Sequence, residues 1–461
     1  MTAKIYHADL WGTREHKNAW LDEHSIASTE WESVDPAEPF YLFKPFDKSE
    51  VGDYYDWPAI NEVMPVNVTG IVTARDGFVI DFDEDALLDR IADLRDDSLS
   101  DQAIRERYFA GKGSKKYPPG DSRGWKLPTA RAKTRADTLW RNHVAPMLYR
   151  PFDTRVIYYT PWMVDWPRTE AMPHMLAGEN VGLTICRQSI GDSWQHAFAT
   201  RRLTDDSMVS NRSRERGYVC PLYLYPGVGK VGDEMFDEWP EGEDGRRPNL
   251  DPGFVRGTES ATGLSFVSDG RGDLEQAFGP EDLLAYIYAV FHWPEYRRRY
   301  EPMLKLDFPR VPPPRSRDGF VAFAELGHDL LAAHLLEDPS IDGETVGFPV
   351  AGDGAVAKGY PKYVPPGAEV VKAGKDKLAP DAERGRVYIN KNQYFEGVEP
   401  AVWRFQIGGY QVCEKWLKDR RGRTLDYDDL THYGKLVESL RKTIDLMARI
   451  EAGAAPVNAE A

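Results

Sequence analysis

The spacing of apolar and polar residues divides the chain into a mixed N-terminal part, a β-rich middle and a helical C-terminal part. Apolar residues three and four positions apart predict helices over residues 9–24, 84–110, 280–303 and 319–336. Short apolar runs bounded by turn residues predict strands instead. These runs are 68–71, 78–82, 156–159, 181–186, 196–200 and 220–225. The pattern therefore predicts an α+β fold.

Two stretches interrupt this pattern. Residues 227–275 are rich in Gly, Asp and Glu, and we expect a mobile insertion there. Residues 337–385 are rich in Gly, Pro and Lys, and are expected to form a connector with short strands. Further on, the Gly408-Gly409 pair before Tyr410 predicts a close backbone approach that belongs to the core architecture.

The last predicted helix starts near Asp428 and carries a heptad-type seam. Its apolar residues follow one another by steps of three and four at Leu430, Tyr433, Val437, Leu440, Ile444 and Met447. The seam is shorter than three heptads, which favours a helix docked on its own domain over an intermolecular coiled coil. Residues 451–461 are rich in Ala and are expected to form a disordered tail.

Charge is distributed unevenly along the chain. The 461 residues include 58 Lys and Arg against 74 Asp and Glu, a formal net charge of −16. Residues 1–100 hold 22 acidic and 8 basic residues, whereas residues 101–155 hold 13 basic and 5 acidic ones. The overall acidity argues against a protein that simply coats nucleic acid, but the basic stretch could face phosphates. The acidic first 100 residues are expected to lie away from any nucleic acid, at a protein partner or in solvent.

Cysteine spacing and hydropathy narrow the class of protein further. Cys186, Cys220 and Cys413 lie far apart and form no C-x-x-C pair, so neither a disulfide framework nor a zinc site is expected. No apolar run approaches the roughly 20 residues of a membrane span. The N-terminus also lacks the apolar stretch of a signal peptide. A protein of the reducing cytoplasm, without a membrane partner, fits these features best.

No complete catalytic motif is present in the sequence. No G-x-x-x-x-G-K-[ST] loop occurs. The segment Gly191-Asp-Ser193-Trp-Gln195 lacks the second glycine of a nucleophile elbow, and no H-E-x-x-H motif occurs. Asn-Pro-Pro-aromatic, the signature of base-flipping amino-methyltransferases, is also absent. No catalytic residue, metal ligand or cofactor site is therefore predicted in this chain.

An ordered series of short segments resembles a known family. In chain order they are Tyr149-Arg-Pro-Phe-Asp-Thr-Arg-Val-Ile-Tyr-Tyr159, Cys186-Arg-Gln188, His196-Ala-Phe198, Pro221-Leu-Tyr-Leu-Tyr225, Tyr296-Arg-Arg-Arg-Tyr300, Asp307-Phe-Pro-Arg310 and Phe405-Gln-Ile-Gly-Gly-Tyr-Gln-Val-Cys-Glu-Lys-Trp-Leu-Lys-Asp-Arg420. Together they resemble the C-terminal specificity region of the type ISP restriction-modification enzymes, the single-polypeptide type I class. They are also similar to target-recognition regions of fused adenine-specific DNA methyltransferases. The resemblance extends from about residue 4 to about residue 450.

In that family one polypeptide also contains a nuclease, a helicase-like motor and an N6-adenine methyltransferase. The segment Lys4-Ile-Tyr-His-Ala-Asp9 resembles the end of the methyltransferase. The resemblance implies that S-adenosylmethionine, ATP and Mg belong only to these other family domains. It leaves open whether the chain is a split-gene product, a truncation or an excised fragment.

The resemblance also implies a division into domains. The fold is expected to be α+β, with a helical N-terminal coupling segment, a β-rich target-recognition domain and C-terminal helices. The expected parts are 1–20, the remnant of the end of a methyltransferase domain; 21–145, a mostly helical or irregular, acidic-to-basic coupling segment; 146–345, the target recognition domain; 346–450, the C-terminal part of the specificity region; and 451–461, the tail.

Side chains that read base edges are expected in loops beside the predicted strands. Arg and Lys pair bidentately with guanine, and Asn and Gln with adenine. The resemblance favours base contact for these residues as a group, although a solvated polar loop is the alternative for each one. The candidates are Arg187, Gln188, Arg201, Arg202, Asn211, Arg212, Lys391, Asn392 and Gln393.

Basic residues in the loop 111–128 and in the helix after it are candidates for contacts with DNA phosphates, because neutralising phosphates releases counterions. A flexible basic loop without a ligand is the alternative. The candidates are Lys112, Lys115, Lys116, Arg123, Lys126 and Arg131, accompanied by Tyr117 and Trp125. The region 297–299 is interpreted as a phosphate-facing or core-capping helix end. The segment 149–155 is interpreted as mainly structural, with Asp153 hydrogen-bonding an arginine.

The expected function is sequence-specific recognition of double-stranded DNA, as the specificity module of a restriction-modification or phage-defence methyltransferase system. The expected partners are duplex DNA and methyltransferase domains, with or without motor and nuclease domains, in cis or as a separate subunit. One alternative is a diverged DNA methyltransferase or endonuclease active by itself. Another is a scaffold that binds proteins through its acidic surface.

Overall fold

The computed structural model describes the chain except residues 1–2, 37, 39–40, 46–51, 112, 230–238, 374, 381–382 and 454–461. It contains two compact units, residues 1–56 and residues 57–461. The expected α+β fold class is confirmed, since helices and small sheets alternate through the described residues. The finer domain boundaries expected from the sequence stay predictions.

Unit 1 contains a two-stranded sheet and a helix. Strand β1 (Ile5–His7) pairs antiparallel with β2 (Glu32–Val34), and α1 (Arg14–Glu23) lies between them in the sequence. The Thr13 hydroxyl begins α1 by accepting a hydrogen bond from the His16 backbone N–H at 3.2 Å. The helix expected over 9–24 is therefore confirmed from residue 14 onward.

The first part of unit 2 consists of short helices and two short strands. These are α2 (Ile60–Val63), β3 (Val68–Thr69), α3 (Asp76–Val79), β4 (Ile80–Asp81), α4 (Glu84–Arg95), α5 (Asp101–Tyr108) and α6 (Leu127–Ala136). Asp83 caps α4, accepting from the Ala86 N–H at 2.9 Å, and Ser100 caps α5, accepting from the Ala103 N–H at 3.1 Å. The helical region expected over 84–110 is therefore two helices, because a second N-cap interrupts it.

Two four-stranded sheets form the middle of unit 2, where the sequence predicts strands. They use β3 and β4 together with β5 (Val144–Arg150), β6 (Asp153–Tyr158), β7 (Gly182–Cys186), β8 (Ala197–Thr200), β9 (Leu203–Thr204) and β10 (Gly217–Pro221). One sheet has the order β4-β6-β5-β9 and the other β3-β10-β7-β8. Every residue of β7 and β8 is buried, which explains their continuous apolar runs.

The region expected to be a mobile insertion contains a helix, so that expectation is wrong for part of it. After β11 (Tyr223–Leu224) and β12 (Arg247–Pro248), which pair with each other, comes α7 (Pro252–Thr262). The Asp251 carboxylate caps α7 by accepting from the Phe254 N–H at 2.7 Å. The Asp251-Pro252 pair is a helix start signal that lies within a Gly-rich and acidic composition typical of loops. Part of the expected insertion, residues 230–238, lies outside the described residues.

Helices follow, as the sequence predicts. After the parallel pair β13 (Ser265–Phe266) and β14 (Ala277–Phe278) come α8 (Pro280–His292), α9 (Pro294–Arg299), α10 (Glu301–Leu304) and α11 (Arg317–Leu335). A Cβ at Gly327 of α11 would lie 1.9 Å from the Ala285 carbonyl oxygen of α8. Glycine at this position therefore allows the two buried helices to pack backbone to backbone.

The C-terminal part combines small sheets with a long final helix. Its elements are β15 (Lys362–Val364), β16 (Val371–Ala373), β17 (Asp376–Leu378), β18 (Arg386–Tyr388), β19 (Tyr394–Glu396), α12 (Pro400–Arg404), β20 (Gln406–Ile407), β21 (Tyr410–Gln411), α13 (Val412–Lys418) and α14 (Tyr427–Gly453). Helix α14 packs on α11 and buries Tyr433, Val437 and Leu440, which confirms a helix docked on its own domain. Residues 454–461 of the expected tail lie outside the described residues.

Candidate nucleic-acid interface

Two loops that carry candidate base-reading residues lie side by side because the strands before and after them pair. Loop 187–196 follows β7 and loop 205–216 precedes β10. In the antiparallel pairing of β7 with β10, Cys186 lies opposite Gly217. The end of one strand and the start of the other therefore bring the two loops to the same end of the sheet.

A buried carboxylate joins these loops. Glu215 is fully buried, and its carboxylate accepts a hydrogen bond from the Ser210 hydroxyl at 2.5 Å. From the other loop it accepts the Ile190 backbone N–H at 2.7 Å and the Ser189 hydroxyl at 3.2 Å. His196 Nε2 lies 3.1 Å from Oε2 of Glu215. We call Glu215, His196, Ser189 and Ser210 the Glu215 clamp.

The electrostatics of the clamp favour an ionised carboxylate. Burial by itself would raise the pKa of Glu215, but the hydrogen bonds from His196, Ser210 and the Ile190 backbone outweigh it and lower the pKa to about 2. The donors to this buried carboxylate come from both loops. If either loop moved away, the carboxylate would lose a hydrogen bond while still charged and buried, which costs free energy. The carboxylate therefore fixes the spacing of the two loops.

The Gly408-Gly409 pair also binds both loops, with one backbone hydrogen bond to each. The N–H of Gly408 donates to the Gln195 carbonyl oxygen at 2.7 Å, and that of Gly409 donates to the Val209 carbonyl oxygen at 3.1 Å. Gly408 has a φ of +55°, and a Cβ there would lie 2.1 Å from the Val209 carbonyl oxygen. The expected close backbone approach is confirmed, and it belongs to the core architecture.

The first pair of base-reading candidates lies at the start of loop 187–196. Arg187 is exposed, and its guanidinium donates to Asp307 at 2.6 Å. Gln188 is also exposed and donates to the Leu306 carbonyl oxygen at 3.2 Å. Both side chains therefore have protein partners that a base edge would have to replace.

The turn between β8 and β9 carries Arg201 and Arg202, which differ in their surroundings. Arg201 is ion-paired with Glu337, with Nη2 to Oε2 at 3.0 Å. Arg202 is exposed as a residue, although partial burial lowers the pKa of its guanidinium, and its side chain has no hydrogen-bonding or ionic partner among the described residues. Of the two, Arg202 has the side chain that is available to a ligand.

Asn211 and Arg212 lie at the exposed tip of loop 205–216. The Arg212 backbone N–H donates to the clamp residue Ser210 at 3.2 Å, whereas neither side chain has a hydrogen-bonding or ionic partner among the described residues. The neighbouring Arg214 adopts a φ of +70°. Two free polar side chains thus extend from a backbone that the clamp holds.

The turn 390–393 separates its candidates into exposed and buried ones. Lys391 and Asn392 are exposed. Gln393 is only 3% exposed, and its amide oxygen accepts from the Gly354 N–H at 3.0 Å and from Asn390 at 2.9 Å. Its amide nitrogen donates to the Val350 carbonyl oxygen at 3.2 Å. In this structure Gln393 holds the turn, and its side chain is not available to a base.

The basic loop keeps most of its candidates at the surface. Lys115, Lys116, Arg123 and Lys126 are exposed, whereas Lys112 lies outside the described residues. The Lys126 ammonium lies 4.2 Å from the Tyr117 ring centroid and donates to the Ser122 carbonyl oxygen at 2.9 Å. Trp125 is 4% exposed and donates to the Trp162 carbonyl oxygen at 2.9 Å, so this aromatic residue anchors the loop rather than facing a ligand.

Arg131, expected to contact phosphate, is directed into the protein instead. It is 3% exposed, and its guanidinium donates to Asp101 at 2.6 Å and to the Leu94, Asp96 and Leu99 carbonyl oxygens at 2.7–3.0 Å. The Leu94 and Asp96 carbonyls lie at the end of α4, where the helix leaves acceptors unpaired, and the Leu99 carbonyl lies in the connection to α5. Arg131 therefore closes that helix end, and a phosphate cannot reach it in this structure.

The segment 149–155 has the structural contacts that the sequence predicts. Asp153 accepts from Arg155 at 2.7 Å and lies 3.0 Å from Arg420. Arg150 donates to Asp205 at 2.6 Å, so the segment also holds the start of loop 205–216. Its arginines are engaged by buried or half-buried carboxylates.

Some residues with a clear structural role were missed from the sequence. His196 begins one of the segments that carry the resemblance but was given no role, Glu215 lies 19 positions further on in none of them, and the pairing of β7 with β10 brings the two together. Arg404, on the five-residue helix α12, is exposed without a carboxylate partner among the described residues. No spacing signal in the sequence marks any of the three.

Among the described residues, no group of three or more His, Cys, Asp or Glu side chains could hold a metal ion. A search of the same residues finds no helix both long and apolar enough to cross a membrane. Two of the candidate loops, 187–196 and 205–216, adjoin strands β7 and β10 of the antiparallel sheet β3-β10-β7-β8.

The type ISP C-terminal specificity domain is the family whose profile matches residues 62–449. Since the match covers most of the chain, this chain belongs to that family. The resemblance noted in the sequence is thereby confirmed. No curated protein sequence matches the chain.

Solved structures with the same fold include three proteins bound to DNA or to a DNA mimic. A nuclease-deletion mutant of the type ISP restriction-modification enzyme LlaGI, in complex with a DNA substrate mimic, is 18% identical with a TM-score of 0.64, over 97% of this chain and 33% of that one. The DrdV–DNA complex is 19% identical with a TM-score of 0.61, over 97% and 43%. LlaBIII, an ATP-dependent type ISP enzyme bound to DNA, is 14% identical with a TM-score of 0.62, over 95% and 27%. The chain thus spans less than half of each of these proteins, and the similarity concerns the fold.

Proposed function

We propose that this chain recognises a specific sequence of double-stranded DNA, as the specificity module of a restriction-modification or phage-defence methyltransferase system. The Glu215 clamp is the observation that carries the proposal. It holds two loops whose exposed residues include guanidinium and amide side chains. Base edges are read by bidentate pairs of such groups, and these pairs require loops held at fixed positions.

The structure narrows the set of residues that we propose for base contact. Arg202, Asn211, Arg212, Lys391 and Asn392 are exposed and have side chains without protein partners among the described residues. Arg187 and Gln188 would first exchange their contacts with residues 306–307 for a base edge. Arg201 and Gln393 support the loops from the protein side instead.

Phosphate contacts would position the duplex without reading it. For this role we propose Lys115, Lys116, Arg123 and Lys126 of the loop 113–126, which follows the acidic N-terminal hundred residues. By neutralising phosphate charge, these residues would increase the affinity for duplex DNA of any sequence. They would also make that affinity fall as the salt concentration rises.

The partners and compartment belong to the same proposal. A methyltransferase, in cis or as a separate subunit, would use the recognised site, and the motor and nuclease domains of the family would act with it. S-adenosylmethionine, ATP and Mg would bind to those domains. We propose a cytoplasmic location, since the genome is there in a bacterium.

The test is binding to DNA, measured on the whole chain. Gel-shift titration with random duplexes would detect binding, and repeated selection from a randomised duplex library would reveal a motif. Enrichment of one motif over the starting library is the expected result. Binding without enrichment would contradict sequence recognition, and failure to bind any duplex would favour the protein scaffold.

A further inference from the structure

A cavity of about 500 Å³ lies beside the candidate recognition loops and has no part in the function proposed above. It is open to solvent on one side, and loop 187–196, α9 and α12 supply most of its walls. Its walls include Trp194, Pro294, Arg297, Arg404 and Phe405. Its volume is in the range that small-molecule sites occupy.

The charge of this cavity is not balanced within the protein. Arg297 is half-buried, its Nε donates to the Phe291 carbonyl oxygen at 2.5 Å, and its guanidinium lies 5.8 Å from the Trp194 ring centroid. It has no carboxylate partner among the described residues, and the same holds for Arg404. Burial lowers the pKa of Arg297 to about 10, so its side chain stays charged at neutral pH.

The other charged side chains of the cavity are already paired. Arg298 binds Glu295 through two hydrogen bonds from Nη2 at 2.6 and 2.7 Å. Glu301, the one carboxylate in the described wall, pairs with Lys305. Two guanidinium groups therefore remain without a counterion, which is costly for the half-buried one.

We propose that this cavity binds a nucleotide, with the phosphate between Arg297 and Arg404 and the nucleoside against the apolar wall. Guanidinium groups match phosphate oxygens with paired hydrogen bonds. Phe405 and Pro294, which are half-buried, offer the apolar surface on which a base or sugar packs. The nucleotide is either free in solution or part of a bound DNA strand, and this proposal does not depend on sequence recognition.

Calorimetric titration of the whole chain with deoxyadenosine monophosphate tests the proposal. Inorganic phosphate and deoxyadenosine, titrated separately, report the contributions of the two halves of the ligand. We expect Arg404→Ala and Arg297→Gln each to weaken binding of the monophosphate about tenfold or more, because each substitution removes a hydrogen bond between charged groups. Arg404 is exposed, so Arg404→Ala should fold even if Arg297→Gln does not. Arg256→Ala is the matched control, because Arg256 is exposed on α7 and outside the cavity wall.

Duplex binding separates the two sources of the nucleotide. If the monophosphate does not bind but Arg404→Ala weakens duplex binding about tenfold and Arg256→Ala does not, the phosphate belongs to the DNA. Two results would show that the proposal is wrong, and in both the wild-type chain binds neither the monophosphate nor phosphate. In the first, the chain binds duplex DNA but Arg404→Ala leaves the affinity unchanged. In the second, the chain binds no duplex. If the chain binds the monophosphate but selects no DNA motif, the nucleotide proposal for this cavity is supported and the proposed recognition of a DNA sequence is rejected.

Discussion

Residues of the same type have different roles in this protein because their partners differ. Arg131 and Arg202 were both expected at DNA, yet one closes a helix end inside the protein and the other is exposed without a partner among the described residues. A sequence identifies a guanidinium but not the carbonyl oxygens that surround it after folding. The residue types at the candidate site could therefore be predicted, whereas their availability could not.

Replacing Gln393 by Ala should destabilise the protein. The substitution leaves the Gly354 N–H and the Val350 carbonyl oxygen without their buried partner, at a cost of about 1–3 kcal/mol. Lys391→Ala, two residues away and exposed, should change the free energy of unfolding by less than about 0.5 kcal/mol. Urea denaturation of both variants is the measurement, and equal stabilities would contradict the buried role of Gln393.

Single Ala substitutions at Arg202, Asn211, Arg212 and Asn392 should each relax the selected DNA motif at one base pair. A bidentate contact discriminates by about 1–3 kcal/mol, while affinity for unrelated duplexes depends on phosphates and should change little. Selection from a randomised duplex library reports one degenerate position for each effective variant. If all four variants keep the parental motif, the reading surface lies elsewhere in the chain.

Glu215→Gln should destabilise the protein in a pH-dependent way. The folded pKa of Glu215, about 2, lies below its ordinary value of 4.5, so the ionised carboxylate stabilises the fold above pH 4.5 and this contribution is lost as the pH falls toward 2. Near neutral pH the amide should cost about 1.5–3 kcal/mol, the range for hydrogen bonds to a charged group.

Denaturation of wild type and Glu215→Gln at several pH values between 7 and 3 measures this difference. It should be largest at neutral pH and should shrink below pH 4.5. The variant should also broaden the selected DNA motif at more than one position, because the clamp holds both loops. A stability difference that does not vary with pH would mean that the carboxylate charge is not what holds the loops.

At the scale of elements, a helix or strand could be predicted from the sequence where its apolar residues repeat regularly along it. The apolar runs of β7 and β8 and the seam of α14 were recognised because burial on one or both faces repeats along the element. The last turns differ from the strict seam: Leu446 and Ile450 are buried while Met447 is half-buried, since a straight helix drifts from a seven-residue repeat. Strand order and the clamp depend on pairing between distant segments, which no local pattern contains.

The basic loop should contribute affinity without specificity. Lys115 and Lys116 are exposed on a loop that Trp125 anchors, so replacing both by Ala should leave the fold intact. If both lysines neutralise phosphates, the slope of log K against log salt should shrink by about 0.9 for each phosphate that is no longer neutralised. Binding titrations from low to high salt on a motif duplex and on an unrelated duplex measure the slopes, with Arg256→Ala as the control. An unchanged slope would mean that the loop is only solvated.

At the scale of the whole molecule, charge and family architecture point in the same direction. The first hundred residues are acidic and the stretch after them is basic, so we expect the basic stretch to attract DNA more than the acidic one does. The family match begins at residue 62, and the solved relatives are more than twice as long as this chain. We therefore expect the chain to recognise DNA and other domains to perform the chemistry.

The chain by itself should transfer no methyl group. Its sequence lacks the Asn-Pro-Pro-aromatic motif that holds a flipped adenine, so the base to be methylated would lack a site. Incubation with tritiated S-adenosylmethionine and unmethylated plasmid DNA should give incorporation no higher than that of a boiled sample, even at concentrations where gel shifts show binding. Adding an adenine methyltransferase subunit that binds this chain should produce labelling at the selected motif, and Asn211→Ala or Arg212→Ala should reduce it there. Multiple-turnover labelling by the chain alone would overturn this expectation and would favour a diverged methyltransferase.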